Sequence, residues 1–184
     1  MTGIQTLIGN YVLKWKLQAK KRSAELMNIK QVGSICLLVD HSFIENHREI
    51  DQAREKLSGF VDNVDIIIYS DNKSLPEEYT GSRYNFLINK DLNLFKIPKK
   101  EVKGEWRGLG YDVLLVFNPG SQFPLYYLTA ELKARLKIGM NELTNPNLIE
   151  FNINVKKQSL NHFIDVAISY LNQINKNSAY EHNV

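Results

Sequence analysis

Two hydrophobic periods alternate along this chain. Short, mostly apolar runs at Ile35–Val39, Val64–Tyr69, Tyr84–Ile88, Asp112–Phe117, Leu136–Ile138 and Leu148–Ile153 have the length and composition of buried strands. Between them the period lengthens to that of a helix. Ile50, Ala53 and Leu57 share one face of a segment ending near Ser58, with Gly59 beside its stop. Leu125, Leu128 and Leu132 form the stripe of a helix opened by Phe123-Pro124 and running to Ala134, with proline at a favoured first-turn position. Leu160, Phe163, Ile164, Ala167, Leu171 and Ile174 give the cleanest amphipathic pattern, over Ser159–Ile174, with Ser159 as the expected N-cap.

Strand followed by helix followed by strand requires crossover connections, so the sheet is expected to be mainly parallel and covered on both faces. The reading is therefore a three-layer α/β domain of Rossmann-like type, with strand order 3-2-1-4-5-6. Residues 89–110 are the least regular stretch, and Leu94, Phe95, Ile97 and Trp106 are expected to pack it onto the domain.

Ahead of this pattern, Ile4, Leu7, Ile8, Tyr11, Trp15, Ala19 and Leu26 fall on one face of a helix expected over 4–27. Leu13 and Leu17 widen that face, Arg22 interrupts it, and Gly9 weakens the helix. The chain thus divides into a basic N-terminal helix (1–30), the α/β domain (31–175) and a polar tail (176–184) expected to be disordered.

Composition adds limits. With 184 residues, 43% hydrophobic and 23% charged, the chain suits one folded domain. No apolar run approaches the roughly 18 to 20 residues that span a bilayer. The positive charges follow Ile4, Leu7 and Ile8, the reverse of a secretory signal. Cys36 is the one cysteine and lies in an expected strand, which excludes an internal disulfide and favours a cytoplasmic location.

Charge is unevenly spread. Residues 1–30 carry Lys14, Lys16, Lys20, Lys21, Arg22 and Lys30 against Glu25, a net +5, while the other 154 residues hold 17 cations and 19 acids. Lys14, Trp15, Lys16, Lys20, Lys21 and Arg22 are therefore the candidate partner-binding residues, for an RNA-containing or protein partner or, less directly, an anionic membrane surface. The plainer reading has Tyr11 and Trp15 anchoring the helix on the domain with its lysines in water.

The unit Tyr111–Gly139 is strand, turn, helix and strand, with Asn118-Pro119-Gly120-Ser121 at the carboxyl end of the first strand. In open α/β sheets ligands bind at that edge, where strand order reverses. Asp40, His41, Glu45 and His47 follow the first strand and would face Asn118, Gly120 and Ser121 if the two strands are neighbours. Asp40, His41, Asn118, Gly120 and Ser121 are thus the candidate ligand residues, for an unknown small molecule. The plain alternative has Asp40 capping its own loop and both histidines solvated. Neither G-x-G-x-x-G, G-x-x-x-x-G-K-[ST] nor H-E-x-x-H occurs, and no nucleophile elbow is present. No catalytic residue, metal ligand or cofactor is assigned.

Val32–Asp40, Asn89-Lys90-Asp91-Leu92-Asn93, Phe123–Leu128 and Thr129–Gly139 together resemble an uncharacterised family of small bacterial cytoplasmic α/β proteins, a domain of unknown function. The resemblance spans about residues 30 to 175 and implies no established activity. More distantly, Tyr111–Gly139 looks like the acceptor half of heptosyltransferase-type glycosyltransferases, which have two Rossmann-like halves and hold the sugar nucleotide mostly with the second. No second half is expected from these 184 residues, and His41-Ser42-Phe43 stands where those enzymes tend to have Gly-Asp. The expectation is a non-enzymatic binding module for a protein or RNA-containing partner. The alternative is a sugar phosphate or nucleotide binder, or a transferase-like enzyme, using the loops after strands one and four.

Overall fold

The computed structural model describes residues 11, 24–72, 79, 84–106, 109–140, 148–154 and 159–174, with backbone alone for 103–105. Six strands form one sheet: β1 (Ser34–Asp40), β2 (Asn63–Ser70), β3 (Asn85–Ile88), β4 (Gly110–Phe117), β5 (Lys133–Met140) and β6 (Phe151–Ile153). All neighbours are parallel and the order is β3-β2-β1-β4-β5-β6, as the alternating pattern predicts. Order reverses between β1 and β4, which pair from Ile35 with Val113 to Val39 with Phe117.

Among the described residues four helices cover the sheet: α1 (His47–Ser58), α2 (Lys100–Trp106), α3 (Phe123–Glu131) and α4 (Leu160–Gln173). Strand side chains alternate between faces. Ile35, Leu37 and Val39 meet Ile50, Ala53 and Leu57 of α1 and Phe163, Ile164 and Ala167 of α4. Cys36 and Leu38 meet Trp106 of α2 and Leu125 and Leu128 of α3. The result is a three-layer α/β domain of Rossmann-like type.

Several boundaries differ from the sequence reading. Of the helix expected over 4–27, Tyr11 is helical and exposed, whereas residues 24–27 are not helical. There the amino edge of the sheet claims the chain. Met27 is buried, the Glu25 N–H donates to the Arg135 carbonyl at 3.2 Å, and the Glu25 carboxylate pairs with the Arg135 guanidinium. The helix expected to reach Ala134 ends at Glu131, because Lys133 and Ala134 pair with Gly110 and Tyr111 and lengthen β5 to eight residues. Conversely, β6 keeps three residues, with Leu148 buried in a side cluster against Tyr126 and Ala130. Ser159 occupies the N-cap of α4, yet its side chain makes no capping bond.

The 89–110 stretch is more regular than expected, since it contains α2. Ile97 and Trp106 are buried as predicted, but Leu94 is 78% exposed and Phe95 is also exposed. Their turn points away from the core. The tail, 176–184, lies outside the described residues.

Candidate functional site

The loops after β1 and β4 meet at the point where strand order reverses. Asp40 ends β1 with 1% of its surface exposed, and it caps the short 3-10 turn His41–Phe43. Its Oδ1 accepts from the Ser42 N–H at 3.1 Å and the Ser42 hydroxyl at 2.5 Å. Its Oδ2 accepts from the Gly120 N–H at 3.1 Å, across the gap between the strands. A Cβ on Gly120 would lie 2.5 Å from that oxygen and 3.0 Å from Phe43 Cε2, so any larger residue would have to displace the carboxylate.

The β4 loop closes on itself. Asn118, also buried, accepts the Gln122 N–H at 2.7 Å with Oδ1 and donates through Nδ2 to the Gln122 carbonyl at 3.1 Å. The Ser121 N–H donates to the Asn118 carbonyl at 3.1 Å, and Ser121 takes φ of 53°, in the left-handed region. The amides of Gly120, Ser121 and Gln122 thus all have internal acceptors. In a phosphate-binding βα loop those groups would point at a ligand anion. Here the Gly120 amide points at the Asp40 carboxylate and the Ser121 and Gln122 amides at Asn118, acceptors supplied by the chain itself.

His41, half-buried at the rim, packs its ring edge-on against Tyr79 at 5.4 Å, and His47 meets the same ring at 6.5 Å. Tyr79 in turn lies 5.1 Å from Phe86. The sequence-predicted residues are therefore brought to one place, with different surroundings. Asp40, Asn118, Gly120 and Ser121 bind one another, whereas His41 belongs to an aromatic cluster over β2 and β3. Burial, followed by the charges of Asp71 and Asp40, pushes the Tyr69 hydroxyl up to about 12. Burial likewise raises Tyr126; the nearby Asp40 charge adds to this, and a hydrogen bond from Ser121 works against it.

Sequence reasoning missed two polar features. Lys137, in the middle of β5, is 2% exposed and donates from Nζ to the Thr129 carbonyl in the last turn of α3. A cation at a helix C-terminus meets unpaired carbonyls and the negative end of the dipole. Strand alternation, which sets Lys137 opposite Leu136 and Ile138, was the available signal. The second feature is the Asp112 carboxylate at the amino edge. It accepts from the Gly33 and Ser34 N–H groups at 2.8 and 3.1 Å and pairs with Arg135 at 3.1 Å. Beneath it, Cys36 is fully buried and burial drives its thiol well above the usual range, so it is a core residue and no nucleophile.

Among the described residues, no group of three or more His, Cys, Asp or Glu could hold a metal ion, and no helix is long and apolar enough to cross a membrane. The partner-binding candidates Lys14, Trp15, Lys16, Lys20, Lys21 and Arg22 lie outside the described residues.

Fold and site define a small parallel α/β domain whose two switch-point loops are joined by a bond from Gly120 to Asp40. The model of a family of unknown function, DUF6913, matches residues 6–174. The chain belongs to that family. No curated protein matches it.

Proposed function

We propose that this chain is a non-enzymatic α/β binding module, engaging a protein or RNA-containing partner through its basic segment 1–30. The observation that carries the reading is that the switch-point amides already have acceptors in the chain, Asp40 for Gly120 and Asn118 for Ser121 and Gln122. A carboxylate that is 1% exposed and accepts three hydrogen bonds from its own loops turns the Gly120 and Ser42 donors inward and away from a substrate phosphate. The net +5 of residues 1–30 directs attention to that segment. The test compares the full chain with a form lacking residues 1–30, and with one neutralised at Lys14, Lys16, Lys20, Lys21 and Arg22. Co-purification lost in both, and falling steeply with salt, is expected. Equal recovery by all three forms overturns the proposal.

A second reading draws on His41, which stays partly accessible at the rim of the joined loops. It is a sugar-phosphate or nucleotide binder at that rim, and the glycosyltransferase likeness of 111–139 belongs with it. A thermal shift with such ligands, abolished in His41→Ala, supports this reading, and a flat screen removes it. His41 is the better probe because an Asp40 variant disturbs the fold itself.

A further inference from the structure

The connection after the edge strand β3 holds a turn that the domain does not use for its own core. Leu92 and Pro98 form an antiparallel bridge, with the Asn93 N–H donating to the Ile97 carbonyl at 2.9 Å and the Lys96 N–H to the Asn93 carbonyl at 3.0 Å. This is a three-residue loop, Leu94–Lys96, whose last residue is left-handed, a position glycine usually fills. Lys96 occupies it with φ of 58°. The Asn93 side chain fixes the turn by accepting from the Phe95 and Ile97 N–H groups at 2.9 and 3.1 Å. Below it, Ile97 and Leu92 are buried, and Asn89 anchors the base to the Asp71 and Asn72 carbonyls.

A rigid frame thus presents an apolar apex, Leu94 and Phe95, to solvent. Around it stand four exposed lysines, Lys90, Lys96, Lys99 and Lys100. Two are tied to the loop base, with Lys96 Nζ donating to Asn89 Oδ1 at 2.9 Å and Lys99 Nζ to the Lys90 carbonyl at 2.6 Å. Asp91 turns inward to the Ile88 N–H at 3.0 Å, and among the described residues Asp71 and Glu101 are the exposed acids beside the turn, so the four lysines outnumber them.

We infer that this turn is a second contact site, one that inserts Leu94 and Phe95 into the headgroup region of an anionic lipid surface while the lysine collar binds its charge. Apolar insertion and basic attraction are the two signals that hold a peripheral protein on such a surface. Leu94, the more exposed residue of the apex at 78%, is aliphatic, which suits insertion among lipid headgroups better than stacking on a base. The turn is not part of the sequence segment 1–30, so the partner reading and this one are tested by different variants.

The test is flotation of the full chain with phosphatidylcholine vesicles, with and without phosphatidylserine. Three proteins are compared: the wild type, Leu94→Ser/Phe95→Ser, and Lys96→Glu/Lys99→Glu. Attachment only to phosphatidylserine vesicles, falling about tenfold in each variant with the melting temperature unchanged, is the expected result. Leu94→Cys labelled with an environment-sensitive dye adds a local readout, since Cys36 is buried and unreactive. Its emission should shift to the blue on those vesicles. Absence of attachment, attachment equal in all three proteins, or an unshifted label overturns the inference. So does loss of binding to a generic RNA, but not to vesicles, in the Leu94→Ser/Phe95→Ser variant.

Discussion

The Gly120 N–H donates to the Asp40 carboxylate at 3.1 Å, joining two loops eighty residues apart in the chain. This bond occupies the crevice that an open parallel sheet creates where its strand order reverses. Removing the carboxylate takes the acceptor from three part-buried hydrogen bonds, two from Ser42 and one from Gly120, and bonds to a charged group are the costly ones to lose. Asp40→Ala should therefore lower stability by about 2–3 kcal/mol, and Ser42→Ala by about 1 kcal/mol. Urea unfolding followed by circular dichroism checks both. A variant as stable as wild type would mean that the carboxylate is held for some use other than folding.

Gly120→Ala tests the same junction from the other side. The added methyl meets Asp40 Oδ2 at 2.5 Å and Phe43 Cε2 at 3.0 Å, so the carboxylate must shift and its bond to the Gly120 amide is disturbed. Overpacking of this kind costs about 1–3 kcal/mol. Because both changes break one contact, the double variant Asp40→Ala/Gly120→Ala should cost less than the two singles added together. Additive losses would show that the loops are held by something else.

Why this junction is only half legible in the sequence follows from its chemistry. Apolar runs such as Ile35–Val39 specify a buried parallel strand through their lack of polar alternation, and the fold follows from six such runs. The same logic places Asp40, Asn118, Gly120 and Ser121 at one edge. Whether a carboxylate there faces a ligand or an amide of its own chain depends on an approach of a few ångströms, which residue types alone do not encode. Leu94 and Phe95 mislead for a related reason. Apolar identity argues for burial, but Asn93 ahead of them sets a turn that lifts both from the surface. Lys137 misleads in the opposite sense, as a charged residue buried at the end of a helix.

Acid sensitivity should be set in part by the amino edge of the sheet. Burial alone would raise the Asp112 carboxyl, but donors from Gly33, Arg135 and Ser34 outweigh it and hold it below the ordinary range. A carboxyl lowered in the folded chain adds stability that is present above its unfolded value of about 4 and is lost as pH falls through its folded value. Glu25, also lowered by its bond to Arg135, titrates in the same direction. The melting temperature of the wild type should therefore drop between about pH 5 and pH 2. Asp112→Asn should be less stable at neutral pH, and the gap between the two proteins should narrow on acidification. A gap that stays constant with pH would remove Asp112 from the account.

Asn93 offers a prediction about mobility with little change in stability. Its side chain sits outside the core and holds the Phe95 and Ile97 amides, so its loss frees the turn without opening a cavity. Asn93→Ala should cost no more than about 1 kcal/mol globally. Amide exchange at Ile97 should nevertheless quicken by about tenfold, because exchange there then proceeds by local opening. Lys96→Gly should act oppositely on the backbone, since glycine occupies φ of 58° without strain. It would also remove one cation from the collar, so lipid attachment should weaken while the turn stays protected from exchange. Parallel changes in exchange and attachment across both variants would mean that rigidity alone governs the contact. Divergence between them would assign the attachment to charge.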